Sequence, residues 1–123
     1  MAEHNILGSR GEDIAASFLS DNSYEILERN WRCGRLEVDI IARYNEALVI
    51  AEVKTRIGNF IEFPQESVDI RRQKRLIRAA NAYIYQSNMN LEIRFDIITI
   101  VFEDGVNYRL THIENAFYPA VRS

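Results

Sequence analysis

The chain has 123 residues, 47% of them hydrophobic and 27% charged, which suits one packed domain spanning 1–123 and excludes a disordered chain. Its one cysteine, Cys33, excludes an internal disulfide and a Cys-rich zinc site, and no run reaches the roughly 18 apolar residues that cross a bilayer. A net charge of −3 argues against a general nucleic-acid coat, and Met1–Arg10 lacks an apolar signal-peptide core, so a cytoplasmic protein without membrane association is expected.

Gly11–Ser20 is expected to form a helix, with Ile14, Ala15, Phe18 and Leu19 on one side and Asp13, Ser17 and Ser20 on the other. Glu12 falls at the edge of the apolar stripe, between Ala16 and Leu19 in projection. A carboxylate turned toward a core needs a partner. A Glu near a helix N-terminus is also favoured by the helix dipole alone, and both readings stand. Asp21-Asn22-Ser23 reads as a turn, Tyr24–Arg32 as a strand and Cys33-Gly34-Arg35 as a second turn.

Leu36–Arg43 and Ala47–Thr55 are rich in Val, Ile and Leu and read as strands joined by Tyr44-Asn45-Glu46. Ala47–Ala51 is apolar on both faces, as in a central strand covered on both sides. Pro64–Ser67 leads into a long helix with Asp69 as N-cap and a buried face of Leu76, Ala79, Ala80 and Tyr83. Ile93–Phe102 is a further strand, Asp104-Gly105 a turn, and Val106–His112 the last strand. The order α-β-β-β-α-β-β defines an α/β domain, a central mixed sheet flanked by helices.

The unusual residues lie in two adjacent strands. Alternation places Glu37 and Asp39 on one face of the first, and Glu52 and Lys54 on one face of the second. Paired as a hairpin, these strands bring the charges to one spot on an apolar sheet. Three carboxylates and one lysine do not neutralise each other there, whereas a divalent cation would. Phosphodiester hydrolysis calls for this set: hard oxygen ligands for Mg²⁺ or Mn²⁺ and a lysine to orient water or meet developing charge. Asp39 and Glu52 are the first expected ligands, with the Val53 carbonyl as a third contact. Lys54 would take the role of the lysine, and Glu12 or Glu37 would complete a second metal position. A Glu-x-Lys pair alone is commonplace on solvated strands; its place after an apolar strand and opposite Glu-x-Asp is what gives it weight.

The order helix-Glu12, strand-Asp39, strand-Glu52-x-Lys54, then helix resembles the PD-(D/E)xK nuclease superfamily, with its restriction-endonuclease-like fold. More narrowly, the chain is similar to the YraN-like uncharacterised bacterial family, whose members look like archaeal Holliday-junction resolvases. The resemblance runs through Gly8, Gly11-Glu12, Ala15, Tyr24–Leu27, Arg29–Arg32, Glu37–Ile41, Glu52–Arg56, Gln73, Ala79-Ala80, Arg94–Asp96 and Asn115–Phe117. It implies a Mg²⁺- or Mn²⁺-dependent endonuclease acting on DNA, on branched or repair intermediates, with Gln73 pointing into the site. Two positions depart from the family pattern: Leu36 stands where a Gly is usual, and Arg72 where a Lys is frequent before the helical Gln.

Arg71, Arg72, Lys74, Arg75 and Arg78 crowd one helix. With Arg32 and Arg56, the residues Arg71, Arg72 and Arg75 are candidate phosphate contacts, against the plainer reading of a solvated helix face. Arg29 and Arg35 are near enough in sequence to extend the same rim. His4 and His112 lack ligand spacing. Arg94 and Asp96 read as a structural ion pair, and Trp31, Phe117 and Tyr118 as packing residues rather than base-stacking ones. A non-catalytic nucleic-acid-binding or repair-accessory domain, and a homodimeric interaction module, are the rival readings. The choice between DNA and RNA stays open.

Overall fold

A computed structural model describes residues 2–58 and 68–118, with the side chains of residues 2–5 outside the description. The elements run α1 (Ala2–Asp21), β1 (Glu25–Cys33), β2 (Leu36–Tyr44), β3 (Ala47–Ile57), α2 (Ile70–Ser87), β4 (Glu92–Phe102) and β5 (Tyr108–Phe117). They form the α/β mixed sheet of the expected order, with strands side by side as β1-β2-β3-β4-β5. β1, β2 and β3 make an antiparallel meander, β4 lies parallel to β3 after the α2 crossover, and β5 returns antiparallel. The expected Pro64–Ser67 lead-in lies outside the described residues.

β3 shows why both faces of the sheet are apolar. Leu48 and Ile50 pack with Leu76, Ala79, Ala80 and Tyr83 of α2, while Val49 and Ala51 pack with Ala15 and Leu19 of α1. Burying each such aliphatic side chain contributes about 1.5–3 kcal/mol, so a helix on either face is the low-energy solution. Asp69 caps α2 as expected, its carboxylate accepting from the Arg72 amide, and Asn88 ends the helix in the left-handed conformation.

Two elements, α1 and β5, differ most from the sequence-based expectation. α1 begins at Ala2 rather than Gly11, because tertiary contacts offset the roughly 1 kcal/mol that each of Gly8 and Gly11 costs a helix relative to Ala. Leu7 packs against the α1-side core, and the Arg10 guanidinium lies 4.8 Å from the Phe102 ring centroid and donates to the Gly105 carbonyl at 3.0 Å. Gly11 itself is a close-approach residue: a Cβ there would stand 2.1 Å from Thr55 Oγ1. β5 covers Tyr108–Phe117 rather than Val106–His112. The Asp104 carboxylate takes the amides of Val106 and Asn107 and extends the turn, and Phe117 stacks on Phe95 at 4.8 Å to hold the far end.

Candidate active site

The β2–β3 ladder ends at the pair Ile40↔Ala51, so the next step of the register sets Asp39 across from Glu52 just where the strands part. Freed from the ladder, the Val53 amide donates to Asp39 Oδ2 at 2.8 Å. Asp39 also marks a break in β2. Val38 belongs to the α2-side core and Ile40 to the α1-side core, so the two-residue alternation fails between them. On the neighbouring strand, Asn30 falls between the pairs Arg29↔Ile40 and Trp31↔Val38 and adopts a left-handed φ of 51°.

The alternation that would set Glu37 and Asp39 on one face therefore does not hold through this part of β2. The Glu37 carboxylate is 42% exposed and turns to Arg32, 3.7 Å away, rather than joining Asp39. Leu36 pairs with Cys33 across a tight turn and packs against the α2-side core. Gly34, with φ of 61°, takes the left-handed position of that turn.

Glu52 is buried among the α2-facing residues of β3, and two cations meet it. Arg72, from the first turn of α2, grips it with Nε on Oε2 at 3.0 Å and Nη2 on Oε1 at 2.8 Å, and also donates to the Glu37 carbonyl at 3.3 Å. Lys54 Nζ, two residues along the strand, lies 3.5 Å from Glu52 Oε2. Sequence reasoning grouped Arg72 with the phosphate contacts and did not pair it with Glu52. The only signal was its place in the first turn after the N-cap, next to the helix's buried side. The two-pronged grip needs a planar guanidinium and would be unavailable to a lysine at this position.

Glu12 reaches the same region from α1. It lines a cleft of about 420 Å³ with Leu7, Gly8, Val53, Lys54, Thr55, Arg56 and Ile57, and its charge acts on Asp39. The close passage of Gly11 over Thr55 is what lets α1 deliver it. Burial first, then the negative charges of Glu52 and Glu12, push the Asp39 carboxyl up to about 7, against the lowering effects of the Val53 amide and Arg72. Three carboxylates thus face two cations, and the expected excess of negative charge is smaller than the sequence suggested because Arg72 contributes. A proton on Asp39 removes the remainder.

The other expected residues lie elsewhere. The Gln73 side chain donates to the Val68 carbonyl at 3.0 Å, the backbone-capping alternative. Val53 meets Asp39 through its amide, whereas the expectation concerned its carbonyl. Arg56 donates to the Thr55 carbonyl and lines the cleft, while Arg71 and Arg75 are exposed on α2. Thr99, in register with Lys54 on β4, carries a buried hydroxyl without a hydrogen-bond partner, and nothing in the sequence marks it.

Among the described residues, no group of three His, Cys, Asp or Glu side chains is set as a ready metal cage. A site made of two carboxylates still matches the habit of Mg²⁺, which takes one or two protein carboxylates and fills its shell with water and substrate phosphate. The donor chemistry of Asp39 and Glu52 therefore fits such an ion, provided Arg72 yields Glu52 oxygen to it.

An α/β sheet that splits open over a half-buried cluster of carboxylates and cations is the class of protein that the fold and site define. The family model described as "Uncharacterised protein family UPF0102" matches residues 11–100, a stretch that holds every site residue from Glu12 to Arg72, and the chain belongs to that family. Similar proteins include a UPF0102 protein of Bacteroides thetaiotaomicron, 48% identical over 97% of this chain and 98% of its own length. Others are a UPF0102 protein of Phocaeicola vulgatus, 43% identical over 98% and 99% of the two chains, and one of Flavobacterium psychrophilum, 44% identical over 96% and 98%.

Proposed function

We propose that the chain is a Mg²⁺- or Mn²⁺-dependent endonuclease of the PD-(D/E)xK type that hydrolyses phosphodiester bonds in DNA. The observation that carries this reading is the meeting of Asp39, Glu52 and Lys54 where β2 and β3 part, with Glu12 supplied from α1. Asp39 and Glu52 would hold the ion, which when bound polarises the scissile phosphate and eases ionisation of the attacking water. The Lys54 ammonium, kept beside Glu52 on a rigid strand, is placed to donate to water or to the negative charge that grows on the phosphate oxygens. The Val53 amide fixes one Asp39 oxygen and leaves the other to bind. Glu12 faces the cleft beside Lys54 and can accept a proton or hold water there.

The Arg72 clamp favours a second reading, in which the site keeps the fold of a nuclease but binds nucleic acid without cutting it. Because both Glu52 oxygens are taken by a guanidinium, metal entry requires that clamp to open.

Cleavage of branched and linear DNA with Mn²⁺ by wild type, Asp39→Ala and Lys54→Ala separates the two. Loss of a single charge-stabilising donor costs about 10²–10³-fold in rate, so each variant should lose at least that much. Equal cleavage by all three proteins would mean a contaminant and end the assignment. Salt-sensitive binding without turnover would leave the second reading.

A further inference from the structure

A second pocket, separate from the cleft at Lys54, opens beside the β1–β2 turn. It holds about 520 Å³ and is lined by Cys33, Arg35, Leu36, Arg75 and Arg78. Arg35 comes from the turn itself, and Arg75 and Arg78 come from α2 at the i,i+3 spacing that puts side chains on one side of a helix. Six arginines elsewhere in the molecule face carboxylates, Arg29 with Asp13, Arg32 with Glu37, Arg43 with Glu46, Arg72 with Glu52, Arg94 with Asp96 and Arg109 with Glu103, while Arg71, on α2 outside the pocket, has no carboxylate partner among the described residues. Among the described residues, no carboxylate pairs with Arg35, Arg75 or Arg78. In a chain with 18 acidic and 15 basic residues, three unpaired cations around one concavity are against the average, and their mutual repulsion is relieved by an anion.

The lining chemistry narrows the anion. Guanidinium forks match phosphate oxygens two at a time. The pocket wall has one aliphatic side chain, Leu36, and no aromatic ring, so it offers no platform for a base or nucleoside. The pocket is also tied rigidly to the candidate active site. Arg72 grips Glu52 from the first turn of α2, and Arg78 is six residues further on, about 9 Å of axial rise at 1.5 Å per residue. At about 3.4 Å of rise per nucleotide, that is roughly two to three nucleotides.

We propose that Arg35, Arg75 and Arg78 form a phosphate-binding pocket that holds the backbone of a nucleic-acid strand roughly two to three nucleotides from Asp39, Glu52 and Lys54. The position given to the strand rests on the nuclease reading of that site. The contact is to phosphate and is independent of base sequence. The pocket also gives an acidic protein a local surface on which a polyanion can sit.

The test is binding of a fluorescent DNA oligonucleotide to the full chain in EDTA, so that no cleavage enters, as NaCl is raised. Arg35→Ala/Arg78→Ala should bind at least tenfold more weakly than wild type, and its salt slope should be shallower by about 1.4–1.8, the loss of two phosphate contacts at 0.7–0.9 each. Arg35→Lys/Arg78→Lys should restore most of the slope, and Lys74→Ala, on α2 but outside the pocket, should leave it unchanged. Cys33 supplies a readout on the unmutated protein: saturating oligonucleotide should slow its alkylation by the neutral reagent iodoacetamide.

An unchanged slope in the double alanine variant overturns the pocket, as does alkylation of Cys33 at the same rate with and without DNA. Protection by inorganic phosphate with no DNA binding assigns the pocket to a free anion and overturns the nucleic-acid proposal. Cleavage is read separately. Metal-dependent, Lys54-dependent turnover with unaltered salt dependence in the pocket variants keeps the nuclease and discards the pocket. Pocket-dependent binding without turnover does the reverse.

Discussion

Two aspartates of this sheet, Asp96 buried and Asp39 half-buried, are treated by the protein in opposite ways. Asp96, on β4, has a fully buried side chain and a complete set of partners. Arg94 donates to both its oxygens at 2.9 and 2.7 Å, His112 Nε2 lies 2.7 Å from Oδ2, and the Asn115 amide donates to Oδ1 at 3.2 Å. Burial would raise its pKa, but the His112 and Arg94 hydrogen bonds outweigh burial and hold it below the ordinary value. Asp39 has one amide for a partner and two carboxylates for neighbours, and it is pushed up to about 7. A buried charge that is fully paired ties elements together, here β4 to β5. One left short of partners retains capacity to bind a proton, which raises its pKa.

The largest expected contrast is in stability. Asp96→Ala leaves Arg94 and His112 without their buried counter-charge and should destabilise the fold by about 3–5 kcal/mol in urea denaturation. Asp39→Asn keeps an acceptor for the Val53 amide and removes a costly charge, so near pH 8 it should stabilise the metal-free protein, by roughly 1–4 kcal/mol. If both substitutions destabilise alike, the two aspartates do not differ in the way described.

The same contrast gives opposite pH limbs. The native pKa of Asp39, about 7, lies above its ordinary 3.8, so the native state binds the proton more tightly. Its contribution to stability therefore falls as pH rises through that interval and levels off above about 7. Asp96 has a native pKa below 3.8, so its contribution is present above that value and is lost as pH falls through the native pKa. Urea titrations across pH should show the upper limb abolished in Asp39→Asn and retained in Asp96→Asn.

Metal sharpens the distinction further. On the proposed nuclease reading Mn²⁺ displaces the Asp39 proton, so the rise in melting temperature on adding Mn²⁺ should be larger near pH 8 than near pH 6 and absent in Asp39→Ala. An equal shift in that variant would place the ion elsewhere. The smallest effect is expected from Arg72→Lys, which keeps the charge and loses the two-pronged grip on Glu52. It should cost about 1 kcal/mol or less, near the worth of a single exchanged hydrogen bond. It should also tighten Mn²⁺ binding by calorimetry, because Glu52 oxygen is more easily released.

Much of the architecture could be read from local pattern. The apolar-on-both-faces run Ala47–Ala51, the Asp69 cap and the Leu76–Tyr83 stripe each follow from short-range chemistry, and each matches the structure. The β2–β3 turn at Asn45-Glu46 did so too, and it put Asp39 opposite Glu52 with Lys54 next to them. What failed was local logic at positions governed by distant ones. The apolar period starts the helix at Gly11, yet α1 runs back to Ala2, and Gly11 lets it pass over Thr55. Strand alternation predicts Glu37 beside Asp39, yet β2 changes face between Val38 and Ile40.

The residue types and their order along the chain were thus enough to determine an α/β sheet and to nominate Asp39, Glu52 and Lys54, because hydrophobic period and hairpin register are local properties. Only the tertiary structure decided how the charges are shared. Arg72 reaches Glu52 from 20 residues away, and Arg35 joins Arg75 and Arg78 across the gap between a hairpin turn and a helix. Coulomb energies depend on distance and burial, and neither is written in sequence separation.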